Sequence, residues 1–137
     1  MTVMRNLIAI AILLVSVMAG PSYSQPMEKS EKVSIIQLLA NPEKYEGKLV
    51  QLTGYVHLEF EGNAIWLHKD DFQNSIYSNA LWIHVTTCVD WDGKPMSGYA
   101  SLMGRFTAKS HGHGRLWPGV ISQVGECFPV PPARVGS

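Results

Sequence analysis

Residues 48–60, which read KLVQLTGYVHLEF, constrain the fold of this chain more than any other segment. Apolar side chains recur there at every second position from Val50 to Phe60, and mainly polar side chains fill the positions between them. Because successive side chains of an extended strand point to opposite faces, the pattern predicts a long strand with one buried face. Gly54 falls in the apolar row, which predicts a bulge, a sharp bend or the close approach of another backbone.

The rest of the chain predicts a small barrel. Ser34 is a suitable N-cap for a short helix over residues 34–40, which Asn41 and Pro42 end. Residues 69–79 lack alternation and predict a short irregular helix or loop that crosses the sheet. We expect an all-β domain with a short N-terminal helix, folded as a five-stranded, partly closed barrel of the OB type, with a small β-sandwich as the alternative. The four further predicted strands are residues 64–68, 80–86, 99–109 and 120–126.

The N-terminus has the features of a targeting segment. Residues 7–19 form an apolar run too short to span a bilayer comfortably, with Arg5 before it and Pro21 after it. We therefore predict a signal peptide over residues 1–24, cleaved before Gln25. The exported protein would be periplasmic or secreted, and cleavage would leave it without a stable membrane anchor.

Composition divides the remaining chain into three parts. Residues 25–32 are polar and charged, with little apolar surface to bury, and predict a mobile tether. The barrel domain is expected over residues 33–127. Residues 128–137 are rich in proline and predict an extended or disordered tail.

Charge bears on the class of partner. The chain holds 11 Lys and Arg against 11 Asp and Glu, and signal cleavage removes one basic residue and no acidic residue. Nucleic-acid binding normally needs a basic face that neutralises phosphates, so we expect no nucleic-acid partner. An envelope protein, a peptide or a glycan fits a near-neutral exported domain better.

Cys88 and Cys127 are the two cysteines of the chain. An even pair in an oxidising compartment predicts one disulfide, which for a loop of this length contributes roughly 4 kcal/mol in the chain-entropy model. A redox pair or a thiolate metal site is the alternative, and the absence of a C-x-x-C spacing disfavours it.

The sequence His111-Gly112-His113 is the most suggestive polar cluster. Alternate residues of an extended segment point the same way, so two imidazoles there are candidate metal ligands. A third ligand would have to come from elsewhere in the fold, and the alternative is a loop whose histidines are solvated or hydrogen-bonded. We expect no cofactor.

Catalytic signatures are weak. There is no G-x-S-x-G elbow, and Glu59 and Glu61, two positions apart at a strand end, are explained equally well by a polar exterior. The sequence therefore favours a protein that is not an enzyme. Packing in the core or its rim is the simpler interpretation of Trp66 and Trp82. Four aromatic side chains are nevertheless candidates for a ligand face: Tyr55, Trp66, Trp82 and Tyr99.

Several segments together resemble a group of small exported bacterial proteins of unassigned function. The segments match as NPEKY-x-GK, HLEFEGNA, NALW and HGH, and the similarity spans about residues 33–126. The resemblance implies an OB-like fold and export, and it carries over no catalytic residue. It does single out a set of candidate ligand-binding residues: Glu59, Glu61, Asn63, Asn79, Trp82, His111 and His113.

The sequence thus favours a non-enzymatic binding module of the bacterial envelope. Its expected contact surface consists of the loops at residues 61–63, 69–79 and 110–118, because loops on a rigid scaffold commonly carry recognition. A metal-binding protein or metal-dependent enzyme that uses His111 and His113 is one alternative. A protective, immunity-type protein is another.

Overall fold

The structure is a computed structural model, and it describes residues 28–85 and 87–133. The predicted signal peptide lies outside these residues. Within them, no helix is both long enough and apolar enough to cross a membrane. The strands and α-helices in chain order are β1 (Glu31–Lys32), α1 (Ile35–Ala40), α2 (Pro42–Tyr45), β2 (Leu49–His57), β3 (Ala64–Trp66), α3 (Lys69–Gln73), β4 (Ala80–Ile83), β5 (Ser97–Thr107) and β6 (Val120–Pro129), with short 3-10 helices at Tyr77–Asn79 and His113–Arg115.

Five of the strands close into a barrel. The order along the sheet is β1-β2-β3-β4-β6-β5, and β2 also pairs with β5, which closes the ring. The β4–β6 pair is parallel, and the other four pairs of the ring are antiparallel. This closed ring confirms the predicted OB-like barrel. The alternative of a β-sandwich is wrong, because β2 and β5 pair along the full length of β2.

Helix α1 confirms the helix predicted over residues 34–40. Its N-cap is Ser34, whose side chain accepts a hydrogen bond from the Gln37 N–H at 3.1 Å, while the Gln37 side chain accepts one from the Ser34 N–H at 2.8 Å. This reciprocal pair satisfies two backbone donors that the helix cannot satisfy itself. Helix α1 ends before Asn41, as predicted, but a second helix, α2, begins directly at Pro42, a residue that suits the first turn of a helix.

The strand ends differ from the predictions. β2 ends at His57, so Phe60, predicted on the buried face, is 92% exposed in the loop that follows. The alternation of apolar and polar side chains continues to Phe60, beyond the last residue of β2. The pattern therefore does not show where the strand ends. Conversely, β6 runs on through Phe128 and Pro129, and β1 pairs with β2 inside the predicted tether. Backbone pairing needs no apolar side chain, so these polar or proline-rich margins carry no strand pattern.

The first hydrophobic cluster, called here the interior core, fills the barrel and is mainly aliphatic. Gly54 lies beside it, and a Cβ there would collide with the Trp66 carbonyl oxygen and the Ile65 side chain, which confirms the predicted close approach. The fully buried large side chains of the interior core come from α1 and all five barrel strands: Ile35, Leu38, Val50, Leu52, Val56, Ile65, Leu81, Ile83, Leu102, Phe106 and Ile121.

Cys88 and Cys127 form the predicted disulfide, with their Cα atoms 5.4 Å apart. Cys88 follows β4 and packs into the interior core, where it is 3% exposed, and Cys127 lies in β6 opposite Leu102 of β5. The bond therefore ties the β4–β5 connection to the last strand of the barrel.

Candidate functional site

The second hydrophobic cluster, called here the outer cluster, lies on the outward face of β2, β3 and β4. Its residues alternate along these strands with those of the interior core, so they point to the opposite side of the same sheet. Tyr55 belongs to it and is only 6% exposed, although the alternation places it on a polar face. The members are Tyr55, Ala64, Trp66, Ala80 and Trp117, with Phe72, Tyr77 and Trp82 packed against them.

Strand register explains how this face accommodates indole rings. Ala64 of β3 pairs with Trp82 of β4, and Trp66 of β3 pairs with Ala80 of β4. Each tryptophan therefore has a methyl group as its neighbour across the strands, and the space above that methyl group is free for a ring. The sequence pattern of alternating alanine and tryptophan in two short strands is what creates an aromatic surface here.

Two connections fold over the aromatic surface and bring rings of their own. The β3–β4 connection places Phe72 and Tyr77 with ring centroids 5.7 Å and 5.4 Å from that of Trp66. The β5–β6 connection places Trp117 at 5.4 Å from Trp66 and 5.0 Å from Tyr77, both nearly edge to face. Aromatic rings favour this edge-to-face geometry because ring edges are positive and ring faces negative.

Asp71 and Asn79 hold the β3–β4 connection in shape. The Asp71 carboxylate, 8% exposed, accepts hydrogen bonds from the His68 backbone N–H at 3.0 Å and from the Asn79 side-chain amide at 2.8 Å. Asn79, a predicted ligand-binding residue, therefore uses its side-chain NH2 group to stabilise the connection that carries Phe72 and Tyr77.

Gly112 sets the path of the β5–β6 connection. Its φ is +61°, in the region that favours glycine, and a Cβ there would collide with Trp82 and Trp117. The backbone of the His-Gly-His segment can lie directly on these two indoles only because glycine is between the histidines. His111 Nδ1 then hydrogen-bonds the Trp117 carbonyl oxygen at 2.8 Å, which closes the loop.

Glu46 fixes the point where this connection begins. Its carboxylate accepts hydrogen bonds from the Thr107 hydroxyl at 2.6 Å and the Ala108 N–H at 2.8 Å. The Thr107 hydroxyl, followed by the Ala108 N–H, holds the pKa of Glu46 below its usual value. The β5–β6 connection is thus anchored by Glu46 where it leaves β5 and closed by His111 over the aromatic surface.

A cavity of about 140 Å³ remains where the loops meet. Its walls combine aromatic rings of the outer cluster with two carboxylates and one imidazole. Glu61 lies with its Oε2 3.4 Å from His113 Nε2, and Glu59 Oε2 is 3.6 Å from His57 Nε2. The lining residues are Glu59, Glu61, Gly62, Trp66, Phe72, Ser75, Tyr77, His113, Leu116 and Trp117.

Two polar atoms of the outer cluster have no hydrogen-bond partner among the described residues. They are the indole nitrogens of Trp66 and Trp117, and each exposes less than 1 Å². Both indoles pack among aromatic rings at interplanar angles of 67° to 85°, and these rings cover the two nitrogens. The cavity therefore meets the carbon surface of these rings rather than their N–H groups.

The structure brings together some of the predicted site residues and separates others. The three loops predicted as a contact surface all line the cavity, and they contribute Glu61 and His113, while Glu59 lines it from just before the first of these loops. Trp82 lies beside it, with its ring 6.2 Å from His113 and 5.7 Å from Trp117. Asn63 accepts a hydrogen bond from the Glu59 N–H at 3.1 Å and shapes the β2–β3 loop.

Sequence reasoning missed the role of three rings. Phe72 and Tyr77 lie in the segment predicted to cross the sheet, and Trp117 lies in the predicted loop at residues 110–118, but the sequence pattern predicts no partner for any of these rings. The available signal was position: each lies inside a loop predicted to form the contact surface. A large ring inside a polar loop needs an apolar neighbour, and the outward rows of β3 and β4 supply one.

The predicted pair of metal-ligand candidates does not converge on a larger ligand set. His111 is engaged by Trp117, and His113 lies against Glu61. Over residues 28–85 and 87–133, no group of three or more His, Cys, Asp or Glu side chains is placed to hold a metal ion.

Comparison of the chain with protein-family models, with curated proteins and with solved structures finds no match.

Proposed function

We propose that this chain is an exported, non-enzymatic binding module of the bacterial envelope, and that its recognition face is the cavity and the loops around it. One observation carries the proposal: three separate loops and the outward face of β3 converge on an aromatic cavity with carboxylates at its rim. Ligand sites are typically concave and apolar with a few convergent polar groups. On OB barrels, this face and the loops beside it are where extended ligands bind.

Backbone strain supports the same location. Four described residues other than glycine have positive φ, and two of them, Glu61 at 58° and Ser75 at 55°, line the cavity. A third, Arg115 at 57°, lies in the turn that carries His113. Such conformations cost of order 1–3 kcal/mol each and tend to cluster at functional sites.

Export is supported by two features. The disulfide between Cys88 and Cys127 is of a kind that persists in oxidising compartments. The apolar run at residues 7–19 has the length and flanks of a signal peptide. Together they favour the periplasm or the exterior as the place where the ligand is met, and an envelope protein, a peptide or a glycan as its class.

Site-specific photo-crosslinking tests the proposal. Phe60 is 92% exposed in the β2–β3 loop between Glu59 and Glu61, so p-benzoylphenylalanine at position 60 samples the recognition face. The matched control carries the same group at Ile36, which is 59% exposed on α1. The two proteins are irradiated in the cells that produce the chain, and the adducts are identified by mass spectrometry.

We expect a defined adduct from position 60 that is absent from position 36. The mass of the adduct separates a protein or peptide from a glycan. No adduct from either position, or the same adducts from both, would contradict the recognition face.

A further inference from the structure

We propose that the cavity binds the cationic side chain of a lysine presented by a peptide or protein. This inference rests on the proposed binding function and names the chemistry of its ligand. It follows from the size of the cavity, the charge of its rim and the nature of its walls.

Size limits what enters. Pockets for whole drug-sized ligands measure about 300–1,000 Å³, whereas this cavity holds about 140 Å³. It therefore accepts one side chain or one group of a larger ligand, and the remainder of the ligand must lie outside over the loops. A protein or peptide that inserts a single side chain meets this requirement.

Charge selects a cation. Glu59 and Glu61 line the cavity with side chains 56% and 53% exposed, and His113 is the one basic side chain among its described lining residues. The next basic residue along this turn, Arg115, is not among them. Both carboxylates are open enough to exchange their histidine neighbours for a ligand ammonium group, which gives a shorter charge-assisted contact.

The walls favour a cation as well. Faces of tryptophan, tyrosine and phenylalanine attract an ammonium group within about 6 Å of the ring centre. Trp66, Tyr77 and Trp117 all line the cavity, and their ring centroids lie within 5.4 Å of one another, so an ammonium group in the cavity lies close to more than one ring. Their buried indole N–H groups, which would repel a cation, do not reach the cavity surface.

The experiment compares a charged lysine probe, its uncharged acetylated form and a neutral sugar. Nα-acetyl-lysine amide is titrated into the oxidised, signal-free protein, and the indole N–H signals of Trp66 and Trp117 are followed by NMR. The Nε-acetylated form of the same probe is the neutral counterpart, because acetylation removes the ammonium charge. Maltose is the uncharged sugar probe.

We expect the lysine probe to shift both indole signals with a Kd in the millimolar range, and to bind more weakly at high salt. The neutral probe should bind at least roughly tenfold more weakly, and maltose should cause no saturable shift. The double variant Glu59→Gln/Glu61→Gln should weaken lysine binding by roughly tenfold.

A matched variant removes the same charge elsewhere. Glu43→Gln/Glu126→Gln changes two exposed glutamates outside the cavity, and lysine binding should stay within about twofold of the unchanged protein. Equal effects of the two double variants, or equal binding of the charged and neutral probes, would overturn the proposal.

The outcomes also separate this inference from the function on which it rests. A partner crosslinked at position 60, with no binding of the lysine probe, overturns the lysine site and leaves the recognition face in place. Saturable binding of maltose that survives both double variants assigns the cavity to a neutral sugar and overturns the lysine site. Absence of any crosslinked partner contradicts the binding module itself.

Discussion

The interior core and the outer cluster lie on opposite faces of the same strands, yet they are built differently. The interior core is mainly aliphatic, and its largest side chains are at most 2% exposed. The outer cluster is mainly aromatic, and half of its rings come from connections rather than from strands. It lines the cavity and holds two buried indole N–H groups without partners among the described residues, whereas none of the residues that line this cavity belongs to the interior core.

This difference matches our proposal, in which one face stabilises the fold and the other recognises a ligand. Branched aliphatic side chains of different sizes interdigitate and fill a barrel to the density of a crystal. The rings of the outer cluster meet nearly edge to face beside a cavity with exposed carboxylates, where we propose that a ligand binds. In this proposal, the same sheet holds the fold together on one face and presents a binding surface on the other.

The largest expected effect comes from the interior core. Phe106 is the largest of its fully buried side chains and is 1% exposed. Phe106→Ala should lower the free energy of unfolding by about 3–5 kcal/mol, because it removes buried apolar surface and leaves a void. Urea unfolding monitored by far-UV circular dichroism measures the loss.

The matched variant for Phe106→Ala is Phe72→Ala in the outer cluster, where the ring is only partly buried. We expect a loss of roughly 1–2 kcal/mol, since less surface is buried and the cavity already lies alongside. Equal losses from both substitutions would show that the two faces contribute alike to stability, and would contradict a stabilising role for the interior core alone.

The disulfide should have the next largest effect, on the interior core. Cys88→Ala/Cys127→Ala should lower the free energy of unfolding by roughly 2–4 kcal/mol, because the unfolded chain regains the freedom that the crosslink removes. The unchanged protein in reducing buffer is the control, and it should lose a similar amount. A urea midpoint that does not respond to reductant would contradict a stabilising role for this bond.

Much of the interior core was predictable, and much of the outer cluster was not. Alternation depends only on neighbours in sequence, so Val50, Leu52 and Val56 identify the buried face of β2 directly. The same alternation predicts a polar face for Tyr55. In the structure the ring of Phe72, which lies 17 positions later in a connection, packs on Tyr55 with the ring centroids 5.5 Å apart. Contacts between a strand and a distant loop leave no periodic mark.

In the candidate site, too, contacts between residues distant in sequence could not be predicted from the sequence pattern. Glu59, Glu61 and His113 could be selected from the sequence because the resemblance to small exported bacterial proteins singles them out. Whether they meet depends on Gly112, which allows the β5–β6 connection to lie on two indoles. Nothing in the sequence states that those indoles lie beneath the loop, so the grouping of the acids around a cavity emerged only from the fold.

Gly112→Ala probes the outer cluster alone. The added Cβ collides with Trp82 and Trp117 at a positive φ, so the loop must lift. We expect a loss of roughly 1–3 kcal/mol and altered NMR signals from both indoles. Gly93→Ala is the matched control, since Gly93 has φ +76° with nothing within 4 Å, and it isolates the backbone cost. Unaltered indole signals in Gly112→Ala would show that the loop does not rest on the rings.

Glu46, which holds the start of the β5–β6 connection, gives a pH-dependent test of that contact. Its folded pKa is lowered, so its stabilisation is present above about 4.5, the ordinary value for glutamate, and is lost as pH falls through the folded pKa. Glu46→Gln should cost about 1 kcal/mol at pH 7, and the difference from the unchanged protein should shrink toward pH 3. Urea midpoints between pH 3 and 7 measure this, with Glu43→Gln, an exposed neighbour in α2, as the control. A difference that is constant with pH would contradict the anchor.

The smallest expected effect falls on the rim of the cavity. Glu59 and Glu61 contact histidines at 3.6 Å and 3.4 Å, but both carboxylates are more than half exposed. Pairs this exposed contribute little, so Glu59→Gln/Glu61→Gln should change the free energy of unfolding by less than about 0.5 kcal/mol at pH 7. A loss near 2 kcal/mol would show that the rim supports the outer cluster instead of serving a ligand. A negligible loss, combined with weaker lysine binding, separates recognition from stability at two named residues.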